Sequence, residues 1–306
     1  MAQNRHPHCC LRHLSRQNPR RPRRTGDPQD RPSIRCKLYG TTHNSSNTAV
    51  SAKHKDQLAA VDVKWSHGQF ASFIATAVAN GKIVIYDINR AGVEMGRIHE
   101  HQRQVHSLDF NPNGGHLLLS GSQDSSIRLW DMRMNHREQT GISWFSANRF
   151  PGNSEGVRHV QWSPTDVFHF ACATDSGSIQ KWDIRKDTGP LLRITAHSKM
   201  CTAIDFHPDG IHVVSGSADK TVKVWDFSST EKRQKPSWSI GAPHSVTKVC
   251  WRPPGWSSRS KASGSWDTTQ LVTAYNQQDP RVHIWDFRRP NVPFREIDKY
   301  PTAPTS

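Results

Sequence analysis

The sequence predicts an all-β chain of repeated four-stranded units, and three observations carry the prediction. First, the twelve residues SGSQDSSIRLWD at 120–131 recur as SGSADKTVKVWD at 215–226. Second, weaker copies close on Tyr86-Asp87, Trp182-Asp183 and Trp285-Asp286. The closing aromatics (86, 130, 182, 225, 285) therefore step by 44, 52, 43 and 60 residues. Third, a 34% hydrophobic fraction with 19 Gly, 19 Pro and 11 Trp suits short strands between turns better than long packed helices.

Each unit reads in the same order. An alternating segment comes first: VDVKW (61–65), VHSLDF (105–110), VRHVQW (157–162), CTAIDF (201–206) and VTKVCW (246–251). A proline turn such as NPNG, SPTD or HPDG usually follows. Next come second strands FIATAV, LLLSGS, HFACAT, HVVSGS and QLVTAY, then third strands IVIYD, IRLWD, IQKWD, VKVWD and VHIWD. Period-two alternation rich in β-branched and aromatic residues is the pattern of half-buried strands. A repeat of about 40–45 residues closing on Trp-Asp marks a four-stranded propeller blade. The chain thus resembles the WD-repeat family. That resemblance implies a WD40 β-propeller over residues 51–300, with about five recognisable four-stranded blades ending near 87, 131, 183, 226 and 286.

The longer steps hold the polar stretches 134–153 and 253–269, which are expected to be loops. After Asp286, FRRPNVPFREIDKYPTAPTS reads as the outer strand of a sixth blade, followed by a 301–306 tail. Upstream, SIRCKLYGTTHNSSNTAVSAKHKDQ reads as the end of an earlier blade. The propeller is therefore expected to be incomplete at both ends, as a fragment of a longer product or completed by partners.

Charge is uneven. Of a net +15, residues 1–37 carry ten Lys/Arg against Asp27 and Asp30. With several prolines and no hydrophobic period, residues 1–50 read as a basic disordered arm plus the remnant of a preceding blade. The run RRPRR fits nuclear import or nucleic-acid contact, and the prolines oppose an amphipathic transit helix. No apolar run approaches eighteen residues. Cys9, Cys10, Cys36, Cys172, Cys201 and Cys250 form no C-x-x-C pair and read as free thiols, the last three in strands. Neither a metal nor a cofactor is expected, and a phosphate-cradling Gly loop is absent from the sequence.

Serine, histidine and aspartate recur with each closing Trp. The sets are His101, Ser122, Asp124 and Trp130, and His197, Ser217, Asp219 and Trp225, with Asp six residues before Trp both times. WD repeats hold such residues in a buried network, with the imidazole joining Asp to Ser. A nucleophile would need an exposed oxygen, a pocket and an oxyanion hole. The repetition beside Trp therefore predicts a structural network and no enzyme. In the other units the aligned positions are Asn80 and Val78, Ser176 and Thr174, and Asp279 and Gln277 with His244.

Segments outside the repeat consensus narrow the resemblance. SAKHKDQLAAVDVKWSH (51–67), ATAVANGKIVIYDINRAGVE (75–94), EHQRQVHSLDFNP (100–112) and WDFRRPNVPF (285–294) are similar to the fungal restriction-of-telomere-capping family. Its animal counterpart is the WD-repeat protein 24 family. The resemblance implies a non-catalytic scaffold of the SEA/GATOR-type complex at the cytosolic face of the vacuole or lysosome. It also implies other subunits as partners, a link to TOR signalling, membrane contact only through those partners and no small-molecule substrate. Two rival readings rest on residues. Three W-D-x-R motifs place Arg133, Arg185 and Arg288 where cullin-adaptor receptors use an arginine, whereas under the scaffold reading Arg288 and Arg289 are candidates to fork onto a partner carboxylate. The basic charge fits a nuclear, nucleic-acid- or histone-binding propeller.

Overall fold

The alternating segments pair as five four-stranded antiparallel meanders. The computed structural model describes residues 59–298 except 91–93, 139–140, 151–154, 187, 229–233, 254–268, 277–278 and 290. The first meander is β1 (Ala60–Trp65), β2 (Phe73–Val78), β3 (Ile83–Asp87) and β4 (Glu94–Ile98). The second is β5 (Val105–Phe110), β6 (Leu117–Ser122), β7 (Ile127–Glu138) and β8 (Gly141–Phe150). The third is β9 (Val157–Trp162), β10 (His169–Thr174), β11 (Ser178–Asp183) and β12 (Leu192–Thr195). The fourth is β13 (Cys201–Phe206), β14 (His212–Ser217), β15 (Thr221–Asp226) and β16 (Trp238–Gly241). The fifth is β17 (Val246–Trp251), β18 (Gln270–Tyr275), β19 (Val282–Asp286) and β20 (Arg295–Ile297).

Register explains why Trp-Asp recurs. The closing Trp lies opposite the second residue of the preceding strand in each of the last four blades. The pairs are Leu118 with Trp130, Phe170 with Trp182, Val213 with Trp225 and Leu271 with Trp285. Cross-strand pairs of an aromatic with an aliphatic or a second aromatic residue stabilise a sheet. Trp130 and Trp182 are fully buried.

Neighbouring blades meet along their first strands. Leu119 and Leu129 of the second blade pack on Val157, Val160 and Trp162 of the third. The glycine of the S-G-S triplet permits this closeness. A Cβ at Gly121 would lie 2.7 Å from Val157 Cγ1, and one at Gly216 would lie 2.6 Å from Val246 Cγ1. A polar side chain on each of the first strands β1, β5, β9 and β13 then bonds the next blade. Asp62 accepts from Leu108 N–H (2.8 Å) and Asp109 from Trp162 N–H (2.8 Å). Gln161 accepts from Phe206 N–H (2.8 Å) and Asp205 from Trp251 N–H (2.6 Å). The innermost strands are thereby joined without continuous backbone pairing, and backbone donors that would otherwise be buried unpaired are satisfied.

Two expectations are corrected. The stretch expected to be a loop at 134–153 is largely strand, because β7 and β8 extend into a long hairpin whose register runs from Ile127 opposite Phe150 to Glu138 opposite Gly141. Alternating residues such as Ile142, Trp144 and Ser146 give that hairpin a buried and a solvent side. It also reaches the first blade, where Gly96 of β4 pairs parallel with Ile142 of β8 and makes one eight-stranded sheet of two blades. A Cβ on Gly96 would sit 1.8 Å from Ile142 carbonyl oxygen, so glycine is what admits the contact. The second correction concerns the segment after Asp286. It supplies β20, which pairs with β19 and completes the fifth blade, so it does not begin a sixth. The expectations for residues 1–50 and the 301–306 tail lie outside the described residues, as does nearly all of the 253–269 loop. Among the described residues no helix is long and apolar enough to cross a membrane.

Candidate functional site

The histidine network forms around a different serine from the one that spacing picks out. His101 Nδ1 lies 2.9 Å from Asp124 Oδ2, and its Nε2 lies 2.7 Å from the Ser120 hydroxyl. With a carboxylate at Nδ1, that nitrogen carries the proton, so Nε2 accepts from Ser120. Trp130 Nε1–H donates to the same Ser120 oxygen at 2.9 Å. The fourth blade repeats the set: His197 to Asp219 (3.1 Å), His197 to Ser215 (2.8 Å) and Trp225 to Ser215 (2.9 Å). Ser122 and Ser217 therefore do not meet the imidazole. They sit at the strand end, where Ser122 accepts from Asp124 N–H (3.1 Å) and donates to Gln104 carbonyl oxygen (3.0 Å). Ser217 accepts from Asp219 N–H (3.0 Å). The physical reason is register. Trp130 faces Leu118, so its next neighbour on that face is Ser120, and Ser122 lies one pair further, inside the turn.

The bond order Ser–His–Asp is that of a hydrolase, yet Ser120 is 0% exposed and its oxygen is already occupied by Trp130. A substrate cannot reach such a group. Asp124 closes the second turn as well, accepting from the backbone N–H groups of Gln102 (3.0 Å) and Ser126 (3.0 Å). Burial raises its carboxyl, but bonds from His101, Ser126 and Gln102 outweigh that and hold it well below the usual carboxylate range.

The third and fifth blades keep the Trp donor and change its acceptor, and in the first, third and fifth blades the positions equivalent to Ser120 are Thr76, Cys172 and Thr273 rather than the three inferred from spacing. Trp182 Nε1–H donates to Gln180 Oε1 (3.0 Å), near Cys172. Trp285 Nε1–H donates to Thr273 (2.9 Å), which joins the Tyr275 hydroxyl (2.8 Å) and, through it, His283 (2.8 Å). His244 reaches Asp279 only at 3.6 Å. Cys172 and Cys201 are buried, while Cys250 is exposed. Burial pushes the Cys172 thiol up to about 12.

The W-D-x-R arginines fold back on their own repeats. Arg133 forks onto Asp131 with Nε–Oδ1 at 2.9 Å and Nη2–Oδ2 at 2.6 Å. Arg185 does the same with Asp183 (2.9 and 2.7 Å), as does Arg288 with Asp286 (3.1 and 2.7 Å). Such bidentate pairs are strong and geometrically specific. The Arg185 bond is the chief cause that brings Asp183 down to about 2. Arg185 also lies 4.2 Å over the Phe168 ring. Arg289 is exposed, and its backbone N–H closes the turn onto Asp286 carbonyl oxygen at 2.8 Å. A partner carboxylate at Arg133, Arg185 or Arg288 would have to compete with an intramolecular one.

Comparison with known proteins agrees with this geometry. The family model described as "WD domain, G-beta repeat" matches residues 92–131, 144–183 and 189–226. This is a WD40-repeat chain. It is homologous to the GATOR2 complex protein WDR24, at 32% identity to the Danio rerio protein over 88% of this chain and 33% to the Homo sapiens protein over 83%. It is also homologous to restriction of telomere capping protein 1 of Candida albicans, at 28% identity over 73% of this chain and 22% of that one. The chain spans about a third of the length of the WDR24 relatives (32% and 30%). A crystal structure of a mitotic checkpoint complex contains a chain of like fold, with a TM-score of 0.63 and 22% identity, covering 81% of this chain and 67% of that one.

Among the described residues of this WD40-repeat chain, exposed apolar groups include those on the following three surfaces. The β7–β8 hairpin presents Met134 and Phe145, 63% and 60% exposed, above the buried pair Met132 and Trp144. On β1, Val63 and Trp65 are exposed where their counterparts Leu108, Val160, Phe110 and Trp162 are covered by a preceding blade. On the fifth blade, Val272, Ile284, Phe294, Trp251 and Cys250 line a cavity of about 530 Å³. Its position corresponds to Leu119 and Leu129 in the second blade, which the next blade buries. The sequence marked the hairpin as an insertion but held no signal for its exposed apolar side beyond WF at 144–145.

Proposed function

We propose that the chain is a non-catalytic interaction scaffold that acts within a GATOR2/SEA-type assembly. The observation that carries this reading is the 32–33% identity to GATOR2 complex protein WDR24 along more than four fifths of this chain. Rigid blades hold loops and edges in fixed positions, which is how a platform binds without chemistry. The exposed side of the β7–β8 hairpin with Met134 and Phe145 is the leading contact, because exposed apolar groups on a stiff element lose little entropy on docking. In this reading the assembly sits at the cytosolic face of the vacuole or lysosome and passes amino-acid status to TOR. Membrane contact comes through the other subunits, and the chain takes no small-molecule substrate. The match to restriction of telomere capping protein 1 supports the nucleus as a second location.

The test is mass spectrometry of proteins that co-purify with the endogenously tagged chain. Recovery of the other GATOR2/SEA-type subunits is the expected result, reduced by a Phe145→Ser, Met134→Ser variant. Recovery of a cullin adaptor without them would replace the proposal with the receptor reading and make Arg133, Arg185 and Arg288 the residues to substitute.

A further inference from the structure

One cluster lies outside the blade network and was read in the sequence only as a turn. In H-P-D-G-I-H (207–212), between β13 and β14, three donor atoms converge on one side of the backbone. His207 Nδ1 is 3.0 Å from Asp209 Oδ2, and His212 Nδ1 is 2.6 Å from the same oxygen. All three ligand atoms lie within 4.8 Å of one another. We propose that His207, Asp209 and His212 form a binding site for a divalent transition-metal ion of the zinc class, with the remaining coordination position open to solvent or a partner.

The turn itself aims the donors. Gly210 takes φ +73°, and its N–H bonds the His207 carbonyl oxygen at 2.9 Å, which brings residues 207 and 212 back together. Asp209 Oδ1 is engaged by the backbone N–H groups of Ile211 (2.8 Å) and His212 (3.0 Å). The carboxylate is thus fixed from behind by outer bonds, as ligating carboxylates usually are, and Oδ2 is left facing the two imidazoles. Asp209 N–H lies 3.3 Å from His207 Nδ1, so that nitrogen accepts a turn hydrogen bond that a bound ion would replace. His207 Nδ1 and the anionic Asp209 Oδ2, 3.0 Å apart, are close enough to share one cation. Tetrahedral zinc with N and O ligands spaces its donors by about 3.3 Å, close to the 3.0 Å between His207 Nδ1 and Asp209 Oδ2. Two imidazoles and a carboxylate suit Zn²⁺ and its first-row neighbours better than Mg²⁺ or Ca²⁺, which prefer oxygen.

The third blade supplies an internal comparison. Its turn has the same aspartate–histidine pair, Asp166 with His169 at 2.7 Å, but Ser163 stands at the position of His207. Ser163 also accepts a turn N–H, from Asp166 at 3.3 Å, so the turn does not require an imidazole there. The third donor is what separates a capped turn from a ligand set.

Calorimetric titration of the full, tag-free chain with ZnCl₂ tests the site. The background carries Cys9→Ser and Cys10→Ser, because the thiols beside His6 and His8 would compete for zinc. One equivalent bound at micromolar zinc is expected. His207→Ser and His212→Asn should each weaken it at least about tenfold, while His169→Asn leaves it unchanged. His207→Ser installs the residue that the third blade already uses, and melting curves without zinc check that both variants remain folded. Equal zinc affinity in all the variants, or no binding by the parent, would overturn the proposal.

Discussion

Ser120 accepts from Trp130 and donates to His101, so one hydroxyl serves two buried groups. Ser120→Ala should cost about 1–3 kcal/mol by leaving both without their partner. A double-mutant cycle read by urea unfolding should couple Ser120 to Trp130, whereas Ser122 should show no coupling to Trp130. Two buried titratable groups then pull the pH dependence in opposite directions. Burial, opposed by Asp219, lowers His197 from 6.5 to about 4. The unfolded chain therefore binds the extra proton between those values. The contribution of His197 is full above pH 6.5 and is lost as pH falls to 4. Asp109 behaves in reverse. Burial raises it from 3.8 to about 6, with Lys64 and the Trp162 N–H opposing. The folded chain keeps a proton that the unfolded chain has released, so this group's contribution falls as pH rises from 3.8 to 6. Asp109→Asn retains an acceptor for Trp162 N–H and removes the titration. Its urea midpoint should gain on the parent's between pH 4 and 6, and a constant difference would show that the carboxyl stays ionised in the fold.

At the scale of elements, the long β7–β8 hairpin is held to the first blade through the Gly96–Ile142 pair. Gly96→Ala puts a methyl group where the Ile142 carbonyl oxygen lies, so the strands must separate or shift. A loss of about 1–3 kcal/mol is expected, as for other overpacked sites. Amide exchange should then quicken across β8 while β5 and β6 keep their protection; unchanged exchange in β8 would mean that the parallel contact contributes little. Strand identity and blade order were legible here because alternation and the closing Trp-Asp report local geometry. The hairpin was not. Its residues are polar enough to read as a loop, and its buried side is created only by packing against β4. The outer strand β20 was misassigned for a related reason: three residues carry no period, and only pairing with β19 determines the blade to which they belong.

For the molecule as a whole, charge and apolar surface separate. Residues 1–37 carry a net +8 of the chain's +15, while the blades expose Val63, Trp65, Met134, Phe145 and Phe294. Affinity for duplex DNA should fall steeply with salt and disappear in a chain lacking residues 1–50, measured by fluorescence anisotropy. DNA binding that survives the deletion would place the phosphate contact on the blades and favour the nucleic-acid reading over the scaffold.

By itself the sequence determined the all-β class, the five units, their order and the membership of His101, Asp124, Trp130 and their fourth-blade counterparts in one recurrent pattern. Those properties follow from period-two alternation and from spacing along the chain, which a linear string records directly. Only the tertiary structure decided which serine closes the network, where the W-D-x-R arginines point and which apolar groups remain open. It alone brought His207, Asp209 and His212 to one point. Each of these depends on register and on the approach of separate strands. A two-residue step along a strand, or a turn folded through a single glycine, changes which side chains meet while leaving the sequence pattern the same.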